Sequence, residues 1–513
     1  MPKWLEDAVF YEIYPQSFFD TNGDGIGDIN GVTAKLDYIQ ELGCNAIWLN
    51  PCFDSPFKDA GYDVRDYKKV AKRYGSNEDL ARCFAEAHKR KMHVILDLVP
   101  GHTSIQHPWF HQSQKAKGNE YSNRYIWTDS VWNRPAGLNY LCGVSERSGC
   151  CVLNFFSTQP ALNYGFRKIT APWQLSYTDA ACIATRTAMK DVMRFWLAKG
   201  CDGFRVDMAG SLVKNDFEGE ATAEVWRDIL GAVRKEYPEM VAISEWSDPE
   251  KAINKALFDM DFYLNQEGNG YHSLFRKTGG DGSQRSFFSS CGNGNIMDFL
   301  DEYLVRYNAT KDHGYISLIT CNHDTPRLTK AFDTQELKLS YAFLLTMPGV
   351  PFIYYGDEIG MQYANLPSKE GGYERTGTRT PMQWSFAASN RGFSNAEPKN
   401  IYLPVDKRDC APCVDLQIKD KDSLLNFVRE LLKMRHDNSD IGTKPNLEIV
   451  FAKANTYPFV YKRGKFILAV NPSKERNVIP LMYQARPFYS LGECSLVDNQ
   501  LQMEGQSFGI FEI

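Results

Sequence analysis

Eight short apolar stretches recur along this chain, most of them followed by a segment with helical periodicity. They lie at 8–18 (AVFYEIYPQSF), 46–50 (AIWLN), 93–100 (HVILDLVP), 203–207 (GFRVD), 240–246 (MVAISEW), 257–264 (LFDMDFYL), 315–322 (YISLITCN) and 350–356 (VPFIYYG). Helical periodicity falls at 31–43, 77–91, 185–200, 220–236, 296–309 and 335–347, with a closing helix at 423–436. Such alternation makes the strands parallel, because each crossover helix returns the chain to the same end of the sheet. Eight strands with helices between them predict an α/β fold, a (β/α)8 TIM barrel.

The alternation lapses over 103–175, a stretch rich in Asn, Ser, Gly, Trp and Cys. A compact fold does not carry a plain loop of that length, so it predicts a small inserted domain after the third strand. From 443 to 513 the pattern turns strand-like, with Asn, Gly and Pro at the turns, and predicts a small all-β domain. The barrel is then assembled from 1–102 and 176–442.

The formal net charge of −5 and the lack of any basic patch exclude nucleic acid and anionic membrane surfaces as partners. The apolar run at 339–356 is broken by Pro348, Gly349 and Pro351, which fits a buried helix leading into a buried strand and no membrane span. The N-terminus, MPKWLEDAVF, has no apolar leader core, so the expected compartment is cytoplasmic. In that compartment most of the 13 cysteines are expected to be reduced core thiols. Cys410 and Cys413 have a metal-like spacing, but no second pair or nearby histidine completes a zinc site.

Polar residues at the C-terminal ends of barrel strands are candidates for chemistry. Asp97 and His102 follow the third strand, Arg205 and Asp207 end the fourth, Glu245 ends the fifth, and His323 and Asp324 end the seventh. Any one carboxylate could merely cap the next helix. Four strand ends carrying charged groups together point to chemistry. Several carboxylates without an organic cofactor suit cleavage of a glycosidic bond: one attacks the anomeric carbon and one, protonated, feeds the leaving oxygen. Arg205 and Asp207, two apart in a strand, share a face, and the arginine is expected to lower the pKa of the aspartate and orient it.

The segments DLVPGH (97–102), GFRVD (203–207), SEW (244–246) and NHD (322–324) resemble, in order and spacing, those of the α-amylase superfamily, glycoside hydrolase family 13. The resemblance spans nearly the whole chain. It implies a catalytic barrel, an inserted domain B and a C-terminal antiparallel β-sandwich domain C. It further implies Asp207 as nucleophile, Glu245 as acid/base and Asp324 as transition-state stabiliser. Arg205 would orient Asp207, and His102 and His323 would bind the sugar in the −1 subsite.

Two segments resemble the oligo-1,6-glucosidase and α-glucosidase branch: DAGYD (59–63) and RTGTRTPMQW (375–384). There an aspartate and an arginine close the far end of the pocket, which implies Asp59 and Arg379 as a clamp on the terminal glucose, Tyr62 as a stacking surface, and exo-action. The bland alternative is that Arg375 and Arg379 brace a surface loop. Trp246, next to Glu245, is a candidate for the leaving-group side. Met208, after the nucleophile, is neither the valine associated with α-1,6 substrates nor a small or polar residue, so linkage stays open.

DTNGDGIGD (20–28) places Asp20, Asn22, Asp24 and Asp28 among glycines, with the Ile26 carbonyl as a further oxygen. These hard ligands suit a structural Ca2+ better than magnesium; the alternative is an Asx turn without an ion. The loop also resembles that branch's metal loop. Family members carry asparagine where Gly101 stands and aspartate where Ala161 stands, so the interdomain calcium of amylases is not expected. The expected activity is retaining exo-acting α-glucosidase on short oligosaccharides or disaccharides. A transglycosylase or isomerase with the same carboxylates, and a non-catalytic relative, are the alternatives. The intact Asp207, Glu245 and Asp324 speak against the last.

Overall fold

The computed structural model describes residues 1–143, 145–371 and 375–513. Eight parallel strands form one sheet: β1 Phe10–Ile13, β2 Ala46–Leu49, β3 His93–Leu98, β4 Gly203–Val206, β5 Val241–Ser244, β6 Met260–Phe262, β7 Tyr315–Ser317 and β8 Phe352–Tyr354. They pair in chain order, and β8 pairs with β1. A parallel bridge between Ile319 and Phe352 joins the remaining edges and closes the barrel. Nearly every strand residue is buried, as a sheet covered on both faces requires.

All eight apolar stretches contribute a strand, but the strands are shorter than their apolar runs. β1 stops at Ile13 because Pro15, which has no amide hydrogen, starts a 3-10 turn over Pro15–Ser17. The helix expected over 31–43 is two helices, Ile29–Ala34 and Leu36–Leu42, the second ending at Gly43 with φ 104°. Longer helices begin where side chains take up free amides. Ser76 with Asp79 and Asp333 with Glu336 form capping boxes on Asn77–Lys89 and Thr334–Thr346.

Between β3 and the helix Ala180–Leu197 the chain makes short bridges, His102 to Ala161 and Tyr125 to Leu162, and a hairpin of Tyr140–Cys142 with Cys150–Val152. A small core of Ile126, Val152, Ala161 and Phe166 holds it together. Cys142 and Cys150, directly opposed in this hairpin with Cα atoms 4.5 Å apart, form a disulfide, the exception to the mostly reduced thiols expected. The other cysteines, Cys410 and Cys413 included, are free.

Beyond residue 443 a five-stranded and a three-stranded antiparallel sheet face one another. The strand Phe466–Asn471 shows why. Phe466, Leu468 and Val470 pack on the barrel, and Ile467 and Ala469 pack on the second sheet. Two-residue periodicity thus buries both faces. At the seam the Arg435 guanidinium donates to the carbonyls of Leu345 (2.8 Å), Met347 (3.1 Å) and Ile441 (3.1 Å). Arg463 donates to those of Thr346, Gly442 (2.8 Å) and Lys444 (3.0 Å). Both cations meet the negative end of the helix Thr334–Thr346. Among the described residues no helix is long and apolar enough to cross a membrane.

Candidate active site

Arg205 points inward from β4 and is 1% exposed. Its guanidinium donates to Asp97 Oδ1 at 2.8 Å and Asp207 Oδ1 at 3.1 Å, and lies 2.7 Å from Glu245 Oε2. Asp97 also accepts from Trp48 Nε1 (3.2 Å) and the Tyr62 hydroxyl (3.1 Å). One cation therefore serves three carboxyl groups. The expected lowering of Asp207 does not occur: burial, then Glu245, push its carboxyl well above the usual range, and Arg205 only partly offsets them. Burial also raises Asp97. Three carboxyl groups thus share one guanidinium in a buried site, and the resulting repulsion is what raises Asp207 beyond its burial.

The strand ends that carry this pair are tied by the backbone. The Glu245 amide donates to Val206 O at 3.0 Å, and the Ala209 amide donates to Glu245 O at 3.1 Å. Met208 sits between them with φ 44° and ψ 44°, a left-handed conformation that costs a non-glycine residue about 1 kcal/mol or more. In that conformation its amide donates to Glu245 Oε2 at 3.0 Å.

A second cluster follows β7. The His323 ring lies 2.8 Å from Glu12 Oε1 through Nδ1 and 3.2 Å from Asp324 Oδ2 through Nε2. Burial alone would lower the imidazole, but Asp324 and then Glu12 push it up to about 9. Asp324 Oδ1 accepts from Arg375 at 2.9 Å and Arg379 at 2.6 Å. Burial would raise Asp324, yet His323 and the two arginines hold it well below the ordinary carboxylate range. It is the permanently ionised carboxylate of the group.

A cavity of about 180 Å³ opens above these groups, lined by Asp207, Glu245, Asp324, Asp59, Tyr62 and His102, with Met208, Arg375, Phe155 and Phe156 completing the wall. His323 does not line it. Its ring nitrogens meet Glu12, Asp324 and the Tyr62 hydroxyl, and it is fully buried beside the two cavity residues Tyr62 and Asp324. His102 does line it, with both nitrogens also engaged: Nε2 donates to Tyr62 O at 3.0 Å, and Nδ1 accepts from Asn154 at 3.1 Å. Burial lowers His102 to about 4, so it is neutral.

Arg375, rather than the Arg379 of the expected clamp, is the arginine that lines the cavity. Arg375 pairs with Asp59 and lines the cavity. Arg379 is 2% exposed beneath Asp324, donating from Nε to the His323 carbonyl at 2.8 Å. Its short reach to the barrel backbone withdraws it from the pocket. Gln159 of QPALN donates to Asp59 Oδ2 at 2.6 Å, so the inserted segment supports the same wall. Arg375 carried a signal in RTGTRT; Phe155 and Phe156 lie in a segment without periodicity and carried none. Trp246 is half-buried against Gly210, where a Cβ would meet its indole at 2.5 Å, and does not line the cavity.

Gly101 lies directly against the inserted segment. A Cβ at Gly101 would come within 2.6 Å of Asn154 Nδ2, the group that holds His102. Asn154 Oδ1 in turn accepts from Lys214 Nζ at 3.1 Å, and Ala161 packs in the inserted segment's core.

In the 20–28 loop the side-chain oxygens turn onto the loop's own amides. Asp20 accepts from Gly23 N and Gly25 N at 2.8 Å, Asn22 from Asp24 N at 2.9 Å, and Asp24 from Ile26 N at 2.8 Å. The side chains of this loop offer only oxygen donors, the kind a calcium site would need. Asp28 caps the helix Ile29–Ala34 through Gly31 N at 2.7 Å. Among the described residues, the His, Cys, Asp and Glu ligand atoms that converge within 4.8 Å are those of His88, His93 and Asp202, at the opposite end of the barrel. There Asp202 already bonds both rings, at 2.9 and 3.1 Å.

A closed parallel barrel with two carboxyl groups, Asp207 and Glu245, at adjacent strand ends and a third, Asp324, lining the same cavity is the arrangement of a glycoside-processing enzyme of the TIM-barrel class. The sequence model described as "Alpha amylase, catalytic domain" matches residues 12–443, and the chain belongs to that family. It is 31% identical to an oligo-1,6-glucosidase of Heyndrickxia coagulans, over 92% of this chain and 93% of that protein. It is equally 31% identical to a trehalose synthase/amylase of Mycolicibacterium smegmatis, over 86% of this chain and 78% of that protein. A solved isomaltulose synthase from Erwinia rhapontici, in complex with D-glucose, superposes with a TM-score of 0.81 at 25% identity, covering 100% of this chain and 99% of that one.

Proposed function

We propose that this chain is a retaining exo-acting α-glucosidase that removes terminal α-linked glucose from short oligosaccharides or disaccharides. The observation that carries the proposal is the closed end of the cavity. Asp59, Arg375 and Asp324 form a continuous ion-paired wall there, so a single non-reducing sugar enters and a longer chain cannot pass through. In the first step an Asp207 oxygen bonds to the anomeric carbon as the glycosidic C–O bond breaks, and the Glu245 proton passes to the departing oxygen. In the second, water attacks the same carbon, gives its proton to Glu245 and releases Asp207, with net retention. Asp324, kept anionic by His323 and the arginines, faces the positive charge that develops on the sugar ring.

The apolar side of the cavity supports a second reading. Phe155, Phe156 and Met208 could hold a departing sugar long enough for it, in place of water, to attack the intermediate, and the trehalose synthase and isomaltulose synthase relatives carry such names. Product analysis by NMR on maltose, isomaltose, sucrose and trehalose separates the two. Net release of glucose supports hydrolysis; a new disaccharide without net glucose refutes it. We also propose a structural calcium ion held by Asp20, Asn22, Asp24, the Ile26 carbonyl and Asp28, supported by the oxygen donor set of that loop.

A further inference from the structure

Asp261, in the middle of β6, is fully buried, and no ion pair among the described residues reaches it. An unpaired buried carboxylate is expensive, and structures keep one only where something depends on it. Its partners all lie on one short turn. Ser244 Oγ donates to Asp261 Oδ1 at 2.6 Å, and the Trp246 amide donates to the same oxygen at 3.0 Å. The amides of Asp248 and Ser247 also face the carboxylate, while Oδ2 has no hydrogen-bond partner of good geometry. One oxygen thus grips the residues immediately before and after Glu245.

The register explains the arrangement. Asp261 pairs with Ser244 across β5 and β6, so the two side chains share a face. Phe262, the next residue, turns inward onto Trp48 and Phe352. Asp261 and Ser244 therefore point outward from the barrel while Glu245 points in. The turn beyond Glu245 is not relaxed: Ser247 adopts φ 58°. Without an anchor such a turn would drift toward ordinary backbone angles and carry the Glu245 side chain off its contacts with Met208 N and Arg205.

We propose that Asp261 is a positioning residue that aims the Glu245 carboxyl at the leaving-group oxygen. The proposal rests on the reading of Glu245 as the acid/base. The general acid matters in proportion to the basicity of the leaving group, so fluoride, which departs without a proton, is the control. Asp261→Asn and Ser244→Ala are assayed on α-D-glucosyl fluoride and on the disaccharide the wild type uses best, comparing kcat/KM, which reports the first step. For Asp261→Asn the disaccharide value is expected to fall at least about tenfold, and the fluoride value to change less than about threefold. Ser244→Ala, which keeps the carboxylate and removes one donor, is expected to show the same asymmetry in smaller degree and covers the case in which Asp261→Asn fails to fold. Equal losses on both substrates, or no loss on either, overturn the positioning role. A wild type that turns over neither substrate overturns the reading of Glu245 itself.

Discussion

Replacing Glu12 by Gln tests whether the charge state of His323 governs the site. His323 rises from an ordinary 6.5 to about 9, and Asp324 contributes the larger share of the rise, Glu12 the smaller. The elevation, 9 − 6.5, amounts to about 3 kcal/mol favouring the imidazolium. Because the folded value lies above the unfolded one, this stabilisation is complete below pH 6.5 and disappears as pH rises through 9. Gln keeps the shape of Glu12 and an oxygen for Asn50, which donates to Oε1 at 3.1 Å, but removes the charge. Less than half of the elevation should go, about one pH unit or roughly 1.4 kcal/mol. The alkaline limb of kcat/KM is then expected to move from near pH 9 to near pH 8, with the acidic limb unchanged. NMR titration of the His323 ring measures the same shift directly. If the ring titrates where it did before and the limb stays in place, Glu12 does not hold the imidazolium and the account of Asp324 as a permanently ionised group loses its basis.

Arg375→Ala removes one side of the Asp59 and Asp324 ion pairs and opens the closed end of the cavity. Truncating a partner in a buried ion pair costs about 3 kcal/mol, so kcat/KM on disaccharides should fall roughly a hundredfold, with products longer than glucose appearing from maltooligosaccharides. Chelation of divalent ions should lower the melting temperature, and millimolar calcium should restore it; calcium at about 100 times its Kd stabilises by about 2.7 kcal/mol, and Asp20→Ala should abolish the response. Arg463→Met leaves the carbonyls of Thr346, Gly442 and Lys444 without their cation. Denaturant unfolding should show a loss of about 2 kcal/mol or more, concentrated in the C-terminal sheets, with little change in KM.

Much of the scaffold is legible along the chain. All eight strands coincide with apolar stretches, because a parallel barrel buries strands on both faces and so writes them as continuous apolar runs. Their ends are less legible. Pro15 is an overt stop for β1, but β6 and β7 end within apolar runs, where composition gives no mark of the last paired residue. The charged strand ends are legible for the same reason in reverse: Asp207, Glu245 and Asp324 each follow an apolar strand run. Asp261 stood in equally plain view and gave no sign of its role, since a single aspartate in a strand does not reveal which face it takes.

The sequence by itself determined the barrel and the β-rich C-terminal region and singled out three carboxylates that the fold brings to one cavity, since each follows from local periodicity or from a residue's place at a strand end. Only the tertiary structure decided how those groups are served. Arg375 meets Asp59 across 316 residues of chain, His323 meets Glu12 across 311, and Gln159 meets Asp59 across 100. Local patterns do not specify such meetings. They depend on barrel closure, which brings β1 beside β8 and folds the inserted segment over the strand ends, and on burial. Burial removes water from the charges and so lets a neighbouring side chain, rather than solvent, set the protonation of Asp207, Asp324 and His323.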